Sequence, residues 1–299
     1  MRKIIALFVS ALFAGTLAAQ VPSAITSDPA PDAANPAKME TMQIPSHGAL
    51  LNALMYEAAG AGPHGTVVLL HGFPGNEKNL DLAQAIRRDG WNVLYFDYRG
   101  SWGTPGAFSF SHSMEDTQAV LAYLRDPAVA KKLRVDSARI VLMGHSMGGM
   151  IAAYTAAHDA KVLALAVFSA ADMAGFALLP NGAPAEAKKQ MLAGVAKALA
   201  NEGMAPLAGC TPESLAADLA AHPEWTLAND AAGLASKPVL IVTSDDGGAA
   251  PAQELAKALQ AAGNREVKYV HIAADHGFSE KRIELQGTIL GGLDYLNGH

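Results

Sequence analysis

The chain has 299 residues, of which 51% are hydrophobic and 17% are charged, and its formal net charge is −6. This length and apolar content are enough to bury a complete core in one large or two small domains. The acidic balance argues against a nucleic-acid-binding protein and favours a small-molecule or peptide partner. Cys210 is the only cysteine, which excludes an intrachain disulfide. No base-bearing motif lies beside it, so we expect a structural cysteine rather than a catalytic thiol.

The N-terminal segment MRKIIALFVSALFAGTLAAQ has the order of a secretory signal peptide: two basic residues, an apolar run over residues 4–14, then small residues. A membrane anchor is the alternative, but the apolar run is shorter than the roughly 20 residues that a spanning helix needs. We therefore expect residues 1–19 to be removed. The mature protein is expected in the periplasm or outside the cell, with no stable membrane anchor.

Two further segments precede the main pattern. Residues 20–38 are rich in Pro, Ala and Asp and have no apolar period, which predicts a flexible leader. The next run, METMQIPSHGALLNALMYEA, has two strand-like halves around Ser46-His47-Gly48 and predicts an antiparallel hairpin.

From residue 66 onward, short apolar strands alternate with helical segments. We expect strands at 66–72, 91–98, 139–145, 162–170, 238–244 and 267–272, and helices at 77–89, 112–126, 147–158, 251–262 and 279–296. Uninterrupted apolar strands are typical of parallel strands that helices cover on both faces. The alternation therefore predicts an α/β fold with a doubly wound, mostly parallel sheet.

The segment between residues 170 and 238 breaks this alternation. It is rich in alanine, with Pro and Gly interruptions, and helices are expected at 185–203 and 212–221. We interpret residues 173–233 as a helical cap inserted on the sheet. The cap then belongs to one domain that spans residues 39–299.

A candidate nucleophile, Ser146, lies in Gly144-His145-Ser146-Met147-Gly148, with an apolar strand before it and a helical segment after it. This sequence matches the G-x-S-x-G nucleophile elbow in its required context. The glycines allow the strand and the helix to pack closely around a serine in a tight turn. The N-terminus of the helix directs backbone N–H groups towards the reacting oxygen. An ordinary strand-to-helix turn can have the same sequence. The assignment of Ser146 as a nucleophile therefore also needs a base and an oxyanion hole elsewhere in the chain.

The segment HGFPG, residues 71–75, follows the first strand of the alternating pattern. The backbone N–H groups of Phe73 and Met147 are predicted to form an oxyanion hole. Such a site stabilises the charge that develops on a carbonyl oxygen during acyl transfer. The His71 side chain is expected only to support the loop.

His276 is the candidate base, in the segment DHGF after the last strand. Ligands of open α/β sheets bind beyond the carboxyl ends of the strands, and both Ser146 and His276 follow such ends. The chain order serine, acid, histidine fits the same arrangement. Structural roles are expected for three other histidines, His145, His158 and His222.

Together these motifs resemble the α/β-hydrolase superfamily, from about residue 39 to the C-terminus, with the cap as the variable part. HGFPG, GHSMGG and DHGF are similar to its oxyanion loop, nucleophile elbow and histidine loop. FDYRGSWGTPG, residues 96–106, is similar to a loop in secreted lipase-like and prolyl-oligopeptidase-like members; Arg99 is expected to fix this loop and Trp102 to line the pocket. The resemblance implies a serine hydrolase of esters or peptides that needs neither a cofactor nor a metal.

The resemblance also implies where the triad acid lies, in the loop after strand 238–244 and a few residues before a proline. The loop reads SDDGGAAP (244–251), and the usual place, four residues before the proline, is a glycine without a carboxylate. A loop difference of one residue brings Asp246 into position, and a difference of two brings Asp245. We predict Asp246, because it is the nearer. Asp245, and Asp172 after strand 162–170, are the alternatives.

The expected function is an exported hydrolase that cleaves a carboxylic ester through Ser146, His276 and Asp246. A serine peptidase or aminopeptidase of the same fold is the second candidate, and cofactor-free haloperoxidases share the serine triad. A non-catalytic binding protein with this fold is the alternative from another class. The expected partner is a small-molecule ester or a short peptide.

Overall fold

The computed structural model describes residues 21–180 and 182–297, so the predicted signal peptide at residues 1–19 lies outside the described residues. The strands are β1 (Lys38–Ser46), β2 (Ala49–Glu57), β3 (His64–Leu70), β4 (Asn92–Phe96), β5 (Val135–His145), β6 (Ala164–Phe168), β7 (Val239–Thr243) and β8 (Val267–His271). The α-helices are α1 (Ser23–Thr26), α2 (Leu80–Arg88), α3 (Phe110–Arg125), α4 (Pro127–Lys132), α5 (Met147–His158), α6 (Ala185–Asn201), α7 (Pro212–Ala221), α8 (Ala249–Ala261) and α9 (Arg282–Asn297).

The strands form one sheet in the order β1-β2-β4-β3-β5-β6-β7-β8. Strands β3 to β8 are mutually parallel, and β2 is antiparallel to both β1 and β4. The predicted doubly wound, mostly parallel sheet is therefore confirmed. The predicted hairpin is β1–β2, in which Ser46 pairs with Ala49. Both residues of its turn, His47 and Gly48, have positive φ, as a tight two-residue hairpin turn requires.

Helices cover both faces of the sheet, which explains why the central strands are mostly apolar. Every residue of β4, β6 and β7 is buried. Helices α3, α5 and α8 pack on one face, and α2 and α9 pack on the other. This two-sided burial removes the alternation that a half-exposed strand would show.

Several predicted boundaries differ from the structure, because apolar burial extends beyond strand pairing. Strand 162–170 was expected from its apolar run, yet β6 covers only Ala164–Phe168, and the flanking Val162 and Ala170 are buried outside the strand. Helix α4 has no predicted counterpart. It is six residues long, too short for an apolar period, and its start is set by the Asp126 side chain, which accepts hydrogen bonds from the backbone N–H groups of Ala128 and Val129.

The segment predicted as a flexible leader contains α1, which packs against α2 and α9. Ala24 is buried, and its carbonyl oxygen accepts a hydrogen bond from the Arg88 guanidinium. Ile25 packs against the same side of the core. Composition favours a free segment, whereas in the structure Ala24 and Ile25 pack on the α2–α9 face.

The insertion between β6 and β7 contains α6 and α7, close to the helices expected for the cap. These helices pack against each other, and α7 also contacts α3. The Asp218 carboxylate of α7 accepts hydrogen bonds from the backbone N–H and hydroxyl of Ser111, in the first turn of α3. In the described part of the chain, no helix combines the length and apolar character needed to cross a membrane.

Candidate active site

Ser146 lies in the turn between β5 and α5 with φ 56° and ψ −124°, a backbone conformation that is unfavourable for a serine. Its N–H donates to the carbonyl of Phe168, and its carbonyl accepts from the N–H groups of Gly149 and Ala171. The neighbouring chain therefore fixes this strained conformation from both sides. Strain of this kind is typical of a functional site.

The glycines around Ser146 have no space for side chains. A Cβ at Gly144 would lie 2.0 Å from the carbonyl oxygen of Gly148, and a Cβ at Gly148 would lie 2.2 Å from that of Leu70. A Cβ at Gly149 would lie 2.6 Å from Cβ of Ala170. The close packing of helix on strand that the elbow sequence predicts is present.

The loop that contains Phe73 passes directly against Ser146. A Cβ at Gly72 would lie only 2.9 Å from Cβ of Ser146 and 3.4 Å from its Oγ. The backbone amides of Phe73 and Met147 donate no hydrogen bond to any residue in the described ranges. Both predicted oxyanion donors are therefore available to an oxygen atom near the serine.

Buried groups hold this loop in place. His71 is fully buried, and its Nδ1 lies 2.8 Å from the carbonyl oxygen of Gly72. Burial lowers the pKa of His71 to about 4, so the ring is neutral at physiological pH. The indole N–H of Trp102 donates to the carbonyl of Pro74 at 2.9 Å, which places a partly exposed ring beside the loop. Arg99 is buried and bonded to Asp116, as expected for a residue that fixes the neighbouring loop.

His276 and Asp246 are brought together at the carboxyl edge of the sheet. Nδ1 of His276 lies 2.7 Å from Oδ2 of Asp246, and the N–H of Gly248 donates to Oδ1 at 2.8 Å. Burial raises the pKa of Asp246, but the hydrogen bonds from His276 and Gly248 outweigh this effect and lower it overall. The ionised carboxylate therefore fixes the tautomer of His276 with its proton on Nδ1, which leaves Nε2 free to accept a proton.

Ser146 and His276 come from adjacent parts of this edge, but no hydrogen bond among the described residues joins Ser146 Oγ to the imidazole. In unliganded sites this bond is often long and shortens only when substrate is bound. The His276 side chain is 49% exposed, whereas that of Asp246 is 10% exposed. The ring is therefore held at its Asp246 end and open at the other.

Neither alternative acid contacts His276. Oδ1 of Asp245 lies 3.1 Å from Nε2 of His271, and the Asp245 side chain is 63% exposed. Asp172 accepts a hydrogen bond from the N–H of Leu227 at 3.2 Å, and burial raises its pKa. The structure thus brings Asp246, and neither of the other two, to the imidazole.

One residue of the site was not singled out by its sequence. His145, for which a structural role is expected, has its Nε2 2.8 Å from the carbonyl oxygen of His276. The only sequence signal is its position directly before the candidate nucleophile.

In residues 21–180 and 182–297, no group of three or more His, Cys, Asp or Glu side chains is arranged to hold a metal ion.

The sequence model of the alpha/beta hydrolase family matches residues 67–282. The chain belongs to this family. The matched span contains Phe73, Ser146, Asp246 and His276, the residues assembled above.

Two uncharacterized proteins of Mycobacterium tuberculosis, from strains CDC 1551 and H37Rv, are each 34% identical over 98 residues. That alignment covers 32% of this chain, and it spans only 32% of the length of these curated relatives.

Solved structures share the same hydrolase fold. An esterase of Pyrococcus furiosus has a TM-score of 0.60 at 15% identity, over 87% of this chain and 93% of its own. A thermostable carboxylesterase from a metagenomic library has a TM-score of 0.57 at 22% identity, over 87% and 90% of the two chains. A lipase in its open form has a TM-score of 0.64 at 18% identity, over 88% of this chain and all of its own. At these identities the likeness concerns the fold alone.

Proposed function

We propose that this member of the alpha/beta hydrolase family is an exported serine hydrolase that cleaves carboxylic esters. The observation that carries the proposal is the 2.7 Å contact between His276 and Asp246, at the same sheet edge as the strained Ser146. A nucleophile, a base and a group that orients the base are the parts that acyl transfer through a serine needs. The free amides of Phe73 and Met147 supply the oxyanion hole.

The proposed reaction has two halves. Oγ of Ser146 attacks the ester carbonyl while Nε2 of His276 takes its proton, and the amides of Phe73 and Met147 stabilise the negative oxygen of the tetrahedral intermediate. As the intermediate collapses, the imidazolium protonates the departing alcohol and an acyl-enzyme remains. Water then attacks the acyl group with His276 as base, and the acid and free Ser146 are released. Asp246 stays ionised throughout and stabilises the imidazolium.

We favour an ester with an apolar part over a peptide, and the exposed aromatic side chain beside the oxyanion loop supports an apolar group in the substrate. Trp102, next to the oxyanion loop, is 37% exposed. Phe176 and Leu178, which follow Ala171 in the loop hydrogen-bonded to Ser146, are 66% and 45% exposed. The Trp102 ring beside the oxyanion loop offers a surface for the apolar part of such an ester. The esterase and lipase structures with the same fold are consistent with this choice.

A fluorophosphonate probe tests the catalytic part of the proposal. We expect the purified wild-type protein to be labelled at Ser146 and the Ser146→Ala variant not to be labelled. Hydrolysis of p-nitrophenyl esters of graded chain length is then compared with hydrolysis of aminoacyl anilides. A folded protein that is neither labelled nor active would indicate a binding protein without turnover, and faster cleavage of the anilides would indicate a peptidase.

Export is proposed from the order of the first 19 residues. We expect the intact mass of the protein from the periplasmic or culture fraction to lack the first 18 or 19 residues. A full-length product that stays with the membrane contradicts the proposal.

A further inference from the structure

His145, directly before the candidate nucleophile, contacts the loop that carries the candidate base. Its Nε2 lies 2.8 Å from the main-chain oxygen of His276, and the centres of the two rings are 4.8 Å apart. A carbonyl oxygen only accepts hydrogen bonds, so Nε2 of His145 must carry a proton and donate it. The bond therefore joins the residue before Ser146 to the backbone of His276 itself.

The environment of His145 keeps its ring neutral. Only 4% of the residue is exposed, and burial, followed by the charge of the neighbouring His276, lowers its pKa to about 4. A single proton on the ring, fixed on Nε2 by the carbonyl, leaves Nδ1 without one. The neutral ring therefore carries on Nε2 the proton that this hydrogen bond requires.

Packing on the far side of His145 restrains the same loop a second time. The His145 ring stacks on Phe168 with centres 5.3 Å apart, and Phe168 contacts the ring of Phe278 at 6.3 Å. Phe278 is fully buried and lies two residues after His276. The loop is therefore held at the His276 carbonyl by His145 and just beyond it by Phe278, whose ring meets that of Phe168 edge to face.

The ring of His276 itself has few restraints. Its side chain is 49% exposed, and among the described residues its only side-chain hydrogen bond is to Asp246. Its position relative to Ser146 is therefore set mainly by the backbone of its own loop. His145 and Ser146 are consecutive residues, so a bond from His145 to this backbone fixes the base relative to the nucleophile.

We propose that His145 is a positioning residue whose Nε2–H···O bond holds His276 at the distance from Ser146 that proton transfer requires. This inference rests on the proposed serine hydrolase activity, and it assigns His145 no contact with substrate. A misplacement of about 1 Å in a catalytic group can cost about 10²-fold in rate. Loss of the bond should therefore lower kcat and leave KM nearly unchanged, because substrate binding is not affected.

Two variants of similar side-chain length separate the hydrogen bond from the packing. In His145→Gln the amide keeps an N–H donor but loses the ring, and in His145→Met the donor is lost. We expect kcat of the Met variant to fall by about 10-fold to 10²-fold with KM within about twofold of wild type, and the Gln variant to recover most of the loss. His158→Met is the matched control, since the exposed His158 also bonds a backbone carbonyl, that of Tyr154 at 2.8 Å, but at the far end of α5. Its kinetics should equal those of wild type.

Thermal unfolding of each variant is measured alongside the kinetics. A folded Met variant with wild-type kcat overturns the inference, and so does a Gln variant that loses as much kcat as the Met variant. If the Met variant does not fold, the Gln variant decides: kcat within about threefold of wild type supports the inference, and a fall near 10²-fold overturns it. Absence of activity and of fluorophosphonate labelling in the wild-type protein would instead contradict the proposed function, so the two failures are distinguishable.

Discussion

Asp246 and Asp245 are consecutive residues, yet their carboxylates bind different histidines. Oδ2 of Asp246 lies 2.7 Å from Nδ1 of His276, whereas Oδ1 of Asp245 lies 3.1 Å from Nε2 of His271. The first carboxylate is nearly buried and accepts a backbone N–H as well, and the second is mostly exposed. Only Asp246 combines a nearly buried carboxylate with a hydrogen bond to the candidate base.

This difference predicts the effect of replacing each acid by asparagine. Asp246→Asn keeps the shape of the side chain but removes the charge and reverses the hydrogen bond to His276, so kcat should fall by up to about 10⁴-fold, as for a triad acid in a serine protease. Asp245→Asn and Asp172→Asn should stay within about threefold of wild type, because neither contacts His276. Steady-state hydrolysis of one p-nitrophenyl ester by the three purified variants makes the comparison. A large loss at Asp245 or Asp172, with Asp246→Asn active, would assign the acid elsewhere.

Ser146 and His276 should behave as one unit in the same assay. Ser146→Ala removes the proposed nucleophile and His276→Ala removes its proposed base, and either change should abolish most ester hydrolysis while leaving the fold intact. Since each residue works only through the other, the double variant should be little worse than either single variant. Losses that multiply would show that the two side chains contribute independently.

The sequence predicts the elbow well because the glycines that its close packing requires are themselves visible in the sequence. Gly144, Gly148 and Gly149 stand where a Cβ would meet atoms of α5, of β3 and of the segment after β6, and their spacing around Ser146 shows this requirement. The contact on which the proposed role of His145 rests is not visible in the sequence, because the carbonyl it bonds is 131 positions away along the chain.

The choice among the acids shows a second limit of the sequence. Whether Asp245 or Asp246 faces His276 depends on the backbone path of one loop. The amino-acid sequence of that loop is compatible with either residue. The distance to the next proline predicts Asp246, and the structure brings this residue to the imidazole. Its catalytic role stays a prediction that the asparagine series tests.

Gly148→Ala should destabilise the protein and reduce ester hydrolysis together. The new Cβ would lie 2.2 Å from the Leu70 carbonyl oxygen, so either β3 or α5 must move, and overpacking of this kind costs about 1–3 kcal/mol. Gly194→Ala is the matched control, because Gly194 is exposed within α6 and a Cβ there meets nothing within 4 Å. That change should raise the free energy of unfolding by about 0.5–1 kcal/mol. Urea unfolding of both variants measures the contrast, and equal midpoints would contradict the steric argument.

Asp230 predicts how stability depends on pH. The residue is 3% exposed, and its Oδ2 is buried without a hydrogen-bond partner among the described residues. Burial, followed by the nearby Asp172, raises its pKa from 3.8 to about 8. Between these two values the unfolded chain has lost the proton while the folded protein keeps it, so the unfolded state binds fewer protons. The free energy of unfolding should therefore fall as pH rises from about 4 to about 8, and the contribution of the neutral carboxyl is lost above that range.

Asp230→Asn keeps the size of the side chain and cannot ionise, so it should remove this part of the pH dependence. Buried His71 and His145, whose pKa values are lowered to about 4, act in the opposite direction, since their contribution is lost as pH falls from about 6.5 towards 4. The measured quantity is therefore the difference in the free energy of unfolding between variant and wild type at each pH, in which the histidines cancel. This difference should grow in favour of the variant from pH 5 to pH 8. Parallel urea-unfolding curves across that range would mean that the folded protein holds no extra proton at Asp230.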